Sequence, residues 1–213
     1  DLASEPRWSY PPRPDTDHVR WLAAHPADPG YLYVAVEAGA FVRTPDGGAT
    51  WIDHPEGAPR DSHTLATHPD DPDRVYAAAG DGYAESPDRG ESWTFREEGL
   101  AHGYGWDVAV DPADPETVVL SAADGAHVAH RLPDVESYVY RREGGGWSLA
   151  MEGLPAPDGL ARAVLAAGTA GEFYALTNRG LFRSGDAGRS WHRLGVDWPE
   201  EADQLGHGLA VIG

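Results

Sequence analysis

The sequence predicts an all-β fold built from four-stranded antiparallel units, and three observations predict it. The first is a recurring eight-residue stretch: Thr44-Pro45-Asp46-Gly47-Gly48-Ala49-Thr50-Trp51, Ser86-Pro87-Asp88-Arg89-Gly90-Glu91-Ser92-Trp93 and Ser184-Gly185-Asp186-Ala187-Gly188-Arg189-Ser190-Trp191. All three match Ser/Thr-x-Asp-x-Gly-x-x-Trp. The second is spacing: Trp8, Trp51, Trp93, Trp147 and Trp191 recur at similar intervals, with the same order of strand-like runs before most of them. A period of this length marks a repeat architecture. The third is composition: 26 Gly and 18 Pro in 213 residues favour many short strands joined by turns over long helices.

Each unit opens on a strand of small and apolar residues: Val19-Arg20-Trp21-Leu22-Ala23-Ala24, Thr64-Leu65-Ala66-Thr67, Trp106-Asp107-Val108-Ala109-Val110 and Ala163-Val164-Leu165-Ala166. A turn follows in the first three, His25-Pro26-Ala27-Asp28-Pro29, His68-Pro69-Asp70-Asp71-Pro72 and Asp111-Pro112-Ala113-Asp114-Pro115. Its recurrence makes His25 and His68 structural residues. A β-branched and aromatic run supplies the second strand at 31–36, 75–79, 118–122 and 173–177. The third strand is Phe41-Val42-Arg43, Tyr83-Ala84-Glu85, Tyr138-Val139-Tyr140 or Leu181-Phe182-Arg183. The eight-residue stretch then closes the unit as a hairpin. Asp hydrogen-bonds to turn amides, Gly takes the positive-φ position, and Trp begins the return strand as a packing anchor.

Four-stranded units of this length, stacked around an axis, predict a β-propeller in one domain spanning residues 1–213. The recurring stretch resembles the Asp-box, or bacterial neuraminidase repeat, and the resemblance runs from Trp8 to Ile212. It implies a blade-peripheral, structural role for the box Asp residues. Asp-box propellers include sialidases, sortilin-type receptors and photosystem assembly factors, so the fold does not by itself name an activity. Trp8 reads as an outermost strand and Gly208-Leu209-Ala210-Val211-Ile212 as an innermost one. Together they predict a fifth blade closed by the two termini and lacking its middle strands. The third unit departs from the pattern: its box is reduced to Arg142-Glu143-Gly144-Gly145-Gly146-Trp147, and residues 123–137 form an insertion.

The formal net charge of −19 disfavours nucleic acid and anionic membranes as partners. All 16 basic residues are Arg, which fits a GC-rich coding bias and an acidic, solvated exterior. The chain has no long apolar run of membrane-spanning length. Absence of Cys excludes disulfides and thiolate-bound metal. With no secretory signal read at Asp1-Leu2-Ala3-Ser4, a cytoplasmic protein is the expectation, a processed extracellular form the alternative.

Aligning the innermost strands on their Leu/Val-Ala steps brings Arg20, His63, Trp106, Arg162 and His207 to one equivalent position, near the mouth of a central channel. Two residues earlier stand His18, Asp61, Tyr104, Leu160 and Leu205, on the same strand faces by period-two alternation. Arg20 and Arg162 suit a small anionic ligand, by bidentate pairing with a carboxylate or phosphate; alternatively they pair with Asp61, Asp107 or Glu37. His18, His63, His102, His127, His130 and His207 fall on one predicted face, which raises a divalent transition metal as a cofactor, although no zinc-type motif is present. His127 and His130 would share a face if the insertion makes a helical turn. The resemblance adds glycoside hydrolysis, with Tyr104 as nucleophile and Asp61 or Asp107 as acid/base. The Arg-Ile-Pro motif of sialidases is missing, and no Glu is evidently placed to activate Tyr104. The leading expectation is a non-catalytic binding or assembly scaffold for a small anion, glycan or protein partner. An enzyme at the same mouth, glycosidase-like or His-ligated metal, is the alternative. Trp198 reads as a loop anchor or a lid.

Overall fold

A computed structural model describes residues 2–10, 15–131, 134–196 and 207–212. The chain divides into two compact units, Asp1–Arg96 and Glu97–Gly213. In the first, strands β1 (His18–His25), β2 (Asp28–Glu37) and β3 (Ala40–Thr44) form one blade, and β4 (Ser62–His68), β5 (Asp71–Ala79), β6 (Gly82–Ser86) and β7 (Thr94–Phe95) form the next. In the second, β8 (Tyr104–Asp111), β9 (Asp114–Ala123), β10 (Tyr138–Glu143) and β11 (Gly146–Leu149) form the third blade. The fourth holds β12 (Val164–Ala167), β13 (Phe173–Thr177), β14 (Gly180–Ser184) and β15 (His192–Arg193). Neighbouring strands are antiparallel throughout, and in the first blade a single Arg43–Ile52 bridge stands where the others have a fourth strand.

The small residues of the inner strands let sheets approach closely enough for aromatic side chains to interlock. In the first unit Tyr31, Tyr33 and Phe41 of one blade bury against Leu65, Val75, Ala77 and Trp93 of the next. In the second, Ala109, Val119 and Val139 meet Leu165, Phe173, Phe182 and Trp191. Full burial of such side chains is worth about 1.5–3 kcal/mol each.

The three recurring stretches fold alike. Asp186 Oδ1 accepts hydrogen bonds from Ser184 Oγ at 2.8 Å and Ser190 N at 2.9 Å, its Oδ2 accepts Ser190 Oγ at 2.6 Å, and Gly188 N donates to Ser184 Oγ at 2.9 Å. Asp46 with Thr44 and Thr50, and Asp88 with Ser86 and Ser92, repeat the network. Gly48, Gly90 and Gly188 all have positive φ. At Gly90 and Gly188 a side chain would also collide with Phe41 and Val119 at 2.5 Å. The anchor Trp behaves differently between copies: Trp93 and Trp191 are 9% and 4% exposed, Trp51 41%. Trp93 packs edge-on to Phe41 of the preceding blade. Trp51 instead lines an apolar groove of about 430 Å³ with Leu2, Trp8, Val19, Val34, Val36 and Val42.

The turn residues are structural, as their recurrence predicts. His25 Nδ1 accepts Ala27 N at 3.1 Å while its Nε2 lies 3.1 Å from Asp73 of the next blade. Asp111 does the same with oxygens, accepting Ala113 N at 2.9 Å and Gly171 N at 2.8 Å. His68 Nδ1 caps its own turn through Asp70 N at 3.1 Å.

The terminal strands expected for a fifth blade are not formed among the described residues. Trp8 follows a 3-10 turn, Glu5–Arg7, with Pro6 in its first turn; with Leu2 it packs against Val34, Val36, Ala40 and Val42 of the first blade. Residues 207–212 form no strand, because no described strand pairs with them, and His207 is exposed. Trp198 and Leu205 lie outside the described residues. In the third blade the reduced box is a tight hairpin turn on Gly144 and Gly145, both at positive φ.

Candidate functional site

The innermost strands share a device that the alignment anticipated only as a common position. In β1, Val19 and Trp21 pair with consecutive residues of β2, so Arg20 is the extra residue of a β-bulge. His63 is bulged in the same way between Ser62 and Thr64, and Trp106 between Gly105 and Asp107. A bulge re-aims a side chain while bending its own strand locally. Arg162 and His207 fall outside strands, Arg162 two residues before β12.

In the first unit the re-aimed residues build a charged cluster. The β1–β2 pairing, shifted at Ala24/His25 and again at the Arg20 bulge, places His18 opposite Glu37, the last residue of β2. His18 Nδ1 lies 2.8 Å from Glu37 Oε2. Arg20 Nε lies 3.9 Å from the same oxygen. The fully buried His63 sits between two carboxylates, its Nε2 at 3.8 Å from Glu37 Oε1 and 3.7 Å from Asp61 Oδ1. Asp61 also accepts the Ala38 amide at 2.7 Å. Burial pushes the Glu37 carboxyl above its usual range; His18 and Arg20 oppose this, and the nearby Asp61 adds to it. Burial raises Asp61 as well, partly offset by the Ala38 amide. One ligand atom each from Glu37, Asp61 and His63 lies within 4.8 Å of the others, a group able to hold a metal ion. Glu37 is the residue that sequence reasoning undervalued, as a mere partner for arginine. The signal for it was the β1–β2 register.

In the second unit the same positions carry an aromatic cluster. The Arg162 guanidinium lies 3.8 Å from the Trp106 ring centre, a cation–π contact, and donates to the Ala129 carbonyl at 3.4 Å. His130 packs edge-on to Trp106, and its Nε2 is 2.9 Å from the Tyr104 hydroxyl. Asp107 is buried and holds backbone: its oxygens accept Val108 N at 2.9 Å and Leu165 N at 2.8 Å. The arginines therefore divide, Arg20 beside a carboxylate and Arg162 on an aromatic face.

The histidines do not converge as one ligand set. The insertion does form a helical turn, α1 (Ala126–Ala129), but His127 is exposed while His130 turns inward to Tyr104 and Trp106. His102 stacks on Tyr138 at 3.6 Å and its Nδ1 lies 2.5 Å from the Tyr140 hydroxyl. Of the six histidines only His63 belongs to the metal-capable group among the described residues, with His18 touching its edge. Within the described residues, no helix is long and apolar enough to cross a membrane.

No family model matches the sequence, and no curated protein does. Solved structures do match. An ancestral GH74 enzyme aligns with a TM-score of 0.69 at 15% identity over 84% of this chain and 24% of its own. YCF48 from Cyanidioschyzon merolae aligns at 0.55 and 15% over 85% and 57%, and another structure shows YCF48 bound to D1 peptide, at 0.53 and 15% over 85% and 54%. An auxiliary nutrient binding protein from Bacteroides thetaiotaomicron aligns at 0.56 and 10% over 78% and 38%. The chain thus spans a quarter to just over half the length of these proteins. At such identities the likeness shows the fold alone: this is a β-propeller fold of antiparallel blades.

Proposed function

We propose that the chain is a non-catalytic binding propeller of the Asp-box type, a single domain that recognises a small ligand, glycan or protein segment through its bulged innermost-strand positions. The supporting observation is the repeated bulge, which re-aims Arg20 and His63 in the first unit and Trp106 in the second. His63 and Trp106 are buried and the partly exposed Arg20 is the bulged side chain that can meet a ligand directly. The hydrolytic candidates, by contrast, are engaged in holding the fold: Tyr104 by His130, Asp107 by two backbone amides, Asp61 by Ala38. Binding of D1 peptide by YCF48, and the similarity to an auxiliary nutrient binding protein, agree with this class.

Peptide and glycan arrays, run beside a panel of chromogenic glycosides, test the reading. Saturable binding weakened about tenfold by Arg20→Ala, with no glycoside turned over, is the expected result, a loss of the size of one charge-assisted contact. Turnover abolished by Asp61→Asn would replace it with a hydrolase.

The Glu37, Asp61 and His63 group favours a second reading, a divalent metal site. The donor types fit: the largely buried Glu37 carboxylate, the about one-third exposed Asp61 carboxylate and the buried His63 imidazole are hard and borderline donors. Near-stoichiometric zinc, manganese or iron in protein purified without chelators, lost in His63→Ala, is its signature. A metal-free protein discards it.

A further inference from the structure

The first unit has a second pocket, of about 270 Å³, lined by Ser4, Arg7, Ala38, Gly39, His54, Arg60 and Asp61. In a chain of net charge −19 most described arginines have carboxylate, carbonyl or aromatic partners. Arg43, Arg74, Arg89, Arg141, Arg142 and Arg183, for example, all pair with acids. The Arg7 and Arg60 guanidiniums form no ion pair with any described residue, although three carboxylates lie close by. Each of those carboxylates is turned to backbone instead. Asp53 accepts Ser4 N at 2.6 Å, Ser4 Oγ at 2.5 Å and His54 N at 2.7 Å. Asp81 accepts Arg60 N at 2.9 Å and Asp61 N at 3.2 Å, and Asp61 accepts Ala38 N. The acids fix the loops and leave both guanidiniums available on the pocket wall.

His54 adds a neutral donor. Its Nδ1 accepts the Phe41 amide at 3.3 Å, so the ring hydrogen of the neutral form sits on Nε2. Burial, then the Arg60 and Arg7 charges, hold the imidazole below its ordinary range. Asp61, the one acid in the lining, is an acceptor at the opposite chemical pole. Two guanidiniums and an N–H select an anion. Asp61 selects a ligand that also offers a hydroxyl, and disfavours the higher charge of phosphate or sulfate. The volume falls just below the ~300 Å³ at which small-molecule pockets usually begin, which restricts the ligand to one small ring or a short chain.

We infer that this pocket binds a small hydroxycarboxylate, the carboxylate held by Arg7 and Arg60 and a hydroxyl donated to Asp61. The site shares Asp61 with the His63 cluster, but Arg7, His54 and Arg60 come from the segments flanking the first blade and not from the bulged positions.

Calorimetric titration of the full chain with glycolate, D-lactate, D-gluconate and D-glucuronate tests it, with D-glucose and inorganic phosphate as comparators. At least one hydroxycarboxylate is expected to saturate the site, D-glucose is not, and Arg60→Ala or Arg7→Ala is expected to weaken binding about tenfold or more. Arg60→Lys keeps the charge but loses the planar fork, and should weaken binding while leaving the unfolding midpoint in place, separating recognition from folding. Phosphate binding as tightly as the best acid would overturn the role of Asp61. No saturation by any of the four acids, or binding unaffected by either arginine, would remove the site.

Discussion

Two sets of carboxylates in this molecule sit in opposite electrostatic situations. In the recurring hairpins, burial alone would raise Asp186, but the Ser190 side chain and amide, with Ser184, outweigh it and hold the carboxyl down at about 2. Asp46 is lowered chiefly by Thr50, and Asp88 is lowered by Ser92 against the effect of burial. In the His18, Arg20 and His63 cluster, burial pushes Glu37 and Asp61 up, and the Asp61 charge adds to the rise of Glu37. The hairpin acids are stabilised by amides that the turn orients in advance. The cluster acids are held where charge is costly. A fold can bear such a cost at a functional site when its turns are well satisfied elsewhere.

The strongest way to break this contrast is to remove the hairpin anchor. Trp191→Ala should cost about 3–5 kcal/mol, as expected for a buried aromatic, whereas Trp51→Ala, half in solvent, should cost less than about 1 kcal/mol. Urea unfolding of the two variants measures both, and equal losses would refute a structural role that depends on the preceding blade. Next in size, Asp186→Ala should lose about 2 kcal/mol at neutral pH, having removed several hydrogen bonds to a carboxylate. That loss has a definite pH window. The folded carboxyl titrates at about 2, below an unfolded value of about 3.9. Its stabilisation is therefore present above about pH 4 and disappears as pH falls through about 2. The smallest effect has the opposite sign. Glu37 is raised in the folded state, so its charge opposes folding above its folded value and not below its unfolded value of about 4.3. Glu37→Gln should thus be neutral or stabilising, by up to about 1 kcal/mol at pH 7, with the gain vanishing towards pH 4. A large destabilisation at pH 7 would instead mark Glu37 as an essential partner of His63.

Most of the fold was legible because its elements repeat. Four sets of strand runs, the His-Pro and Asp-Pro turns and the box hairpins are dictated locally, by alternation and by turn chemistry. The parts that depended on partners were not legible. The pattern of Trp8 and residues 208–212 reads as strand, but a strand exists only where another chain segment pairs with it. Trp51 has the same local sequence context as Trp191 and a different burial, because burial is decided by the neighbouring blade. At the site, alignment placed His18, Arg20, Asp61 and His63 together. Glu37 emerged only with the strand register, and Arg7, His54 and Arg60 lie in connecting segments that no repeat aligns. His127 and His130 failed as a pair for a local reason: the helical turn they bracket exposes one and turns the other onto Tyr104.

The uneven burial of the anchors also gives the protein an internal optical probe. Trp93, Trp106, Trp147 and Trp191 are each less than 10% exposed, while Trp51 is 41% exposed on an apolar groove. A collisional quencher will reach Trp51 far sooner than those four. Anything that settles into that groove, which Trp8 also lines, will announce itself as shielding and a blue shift of the Trp51 and Trp8 indoles, with no label attached.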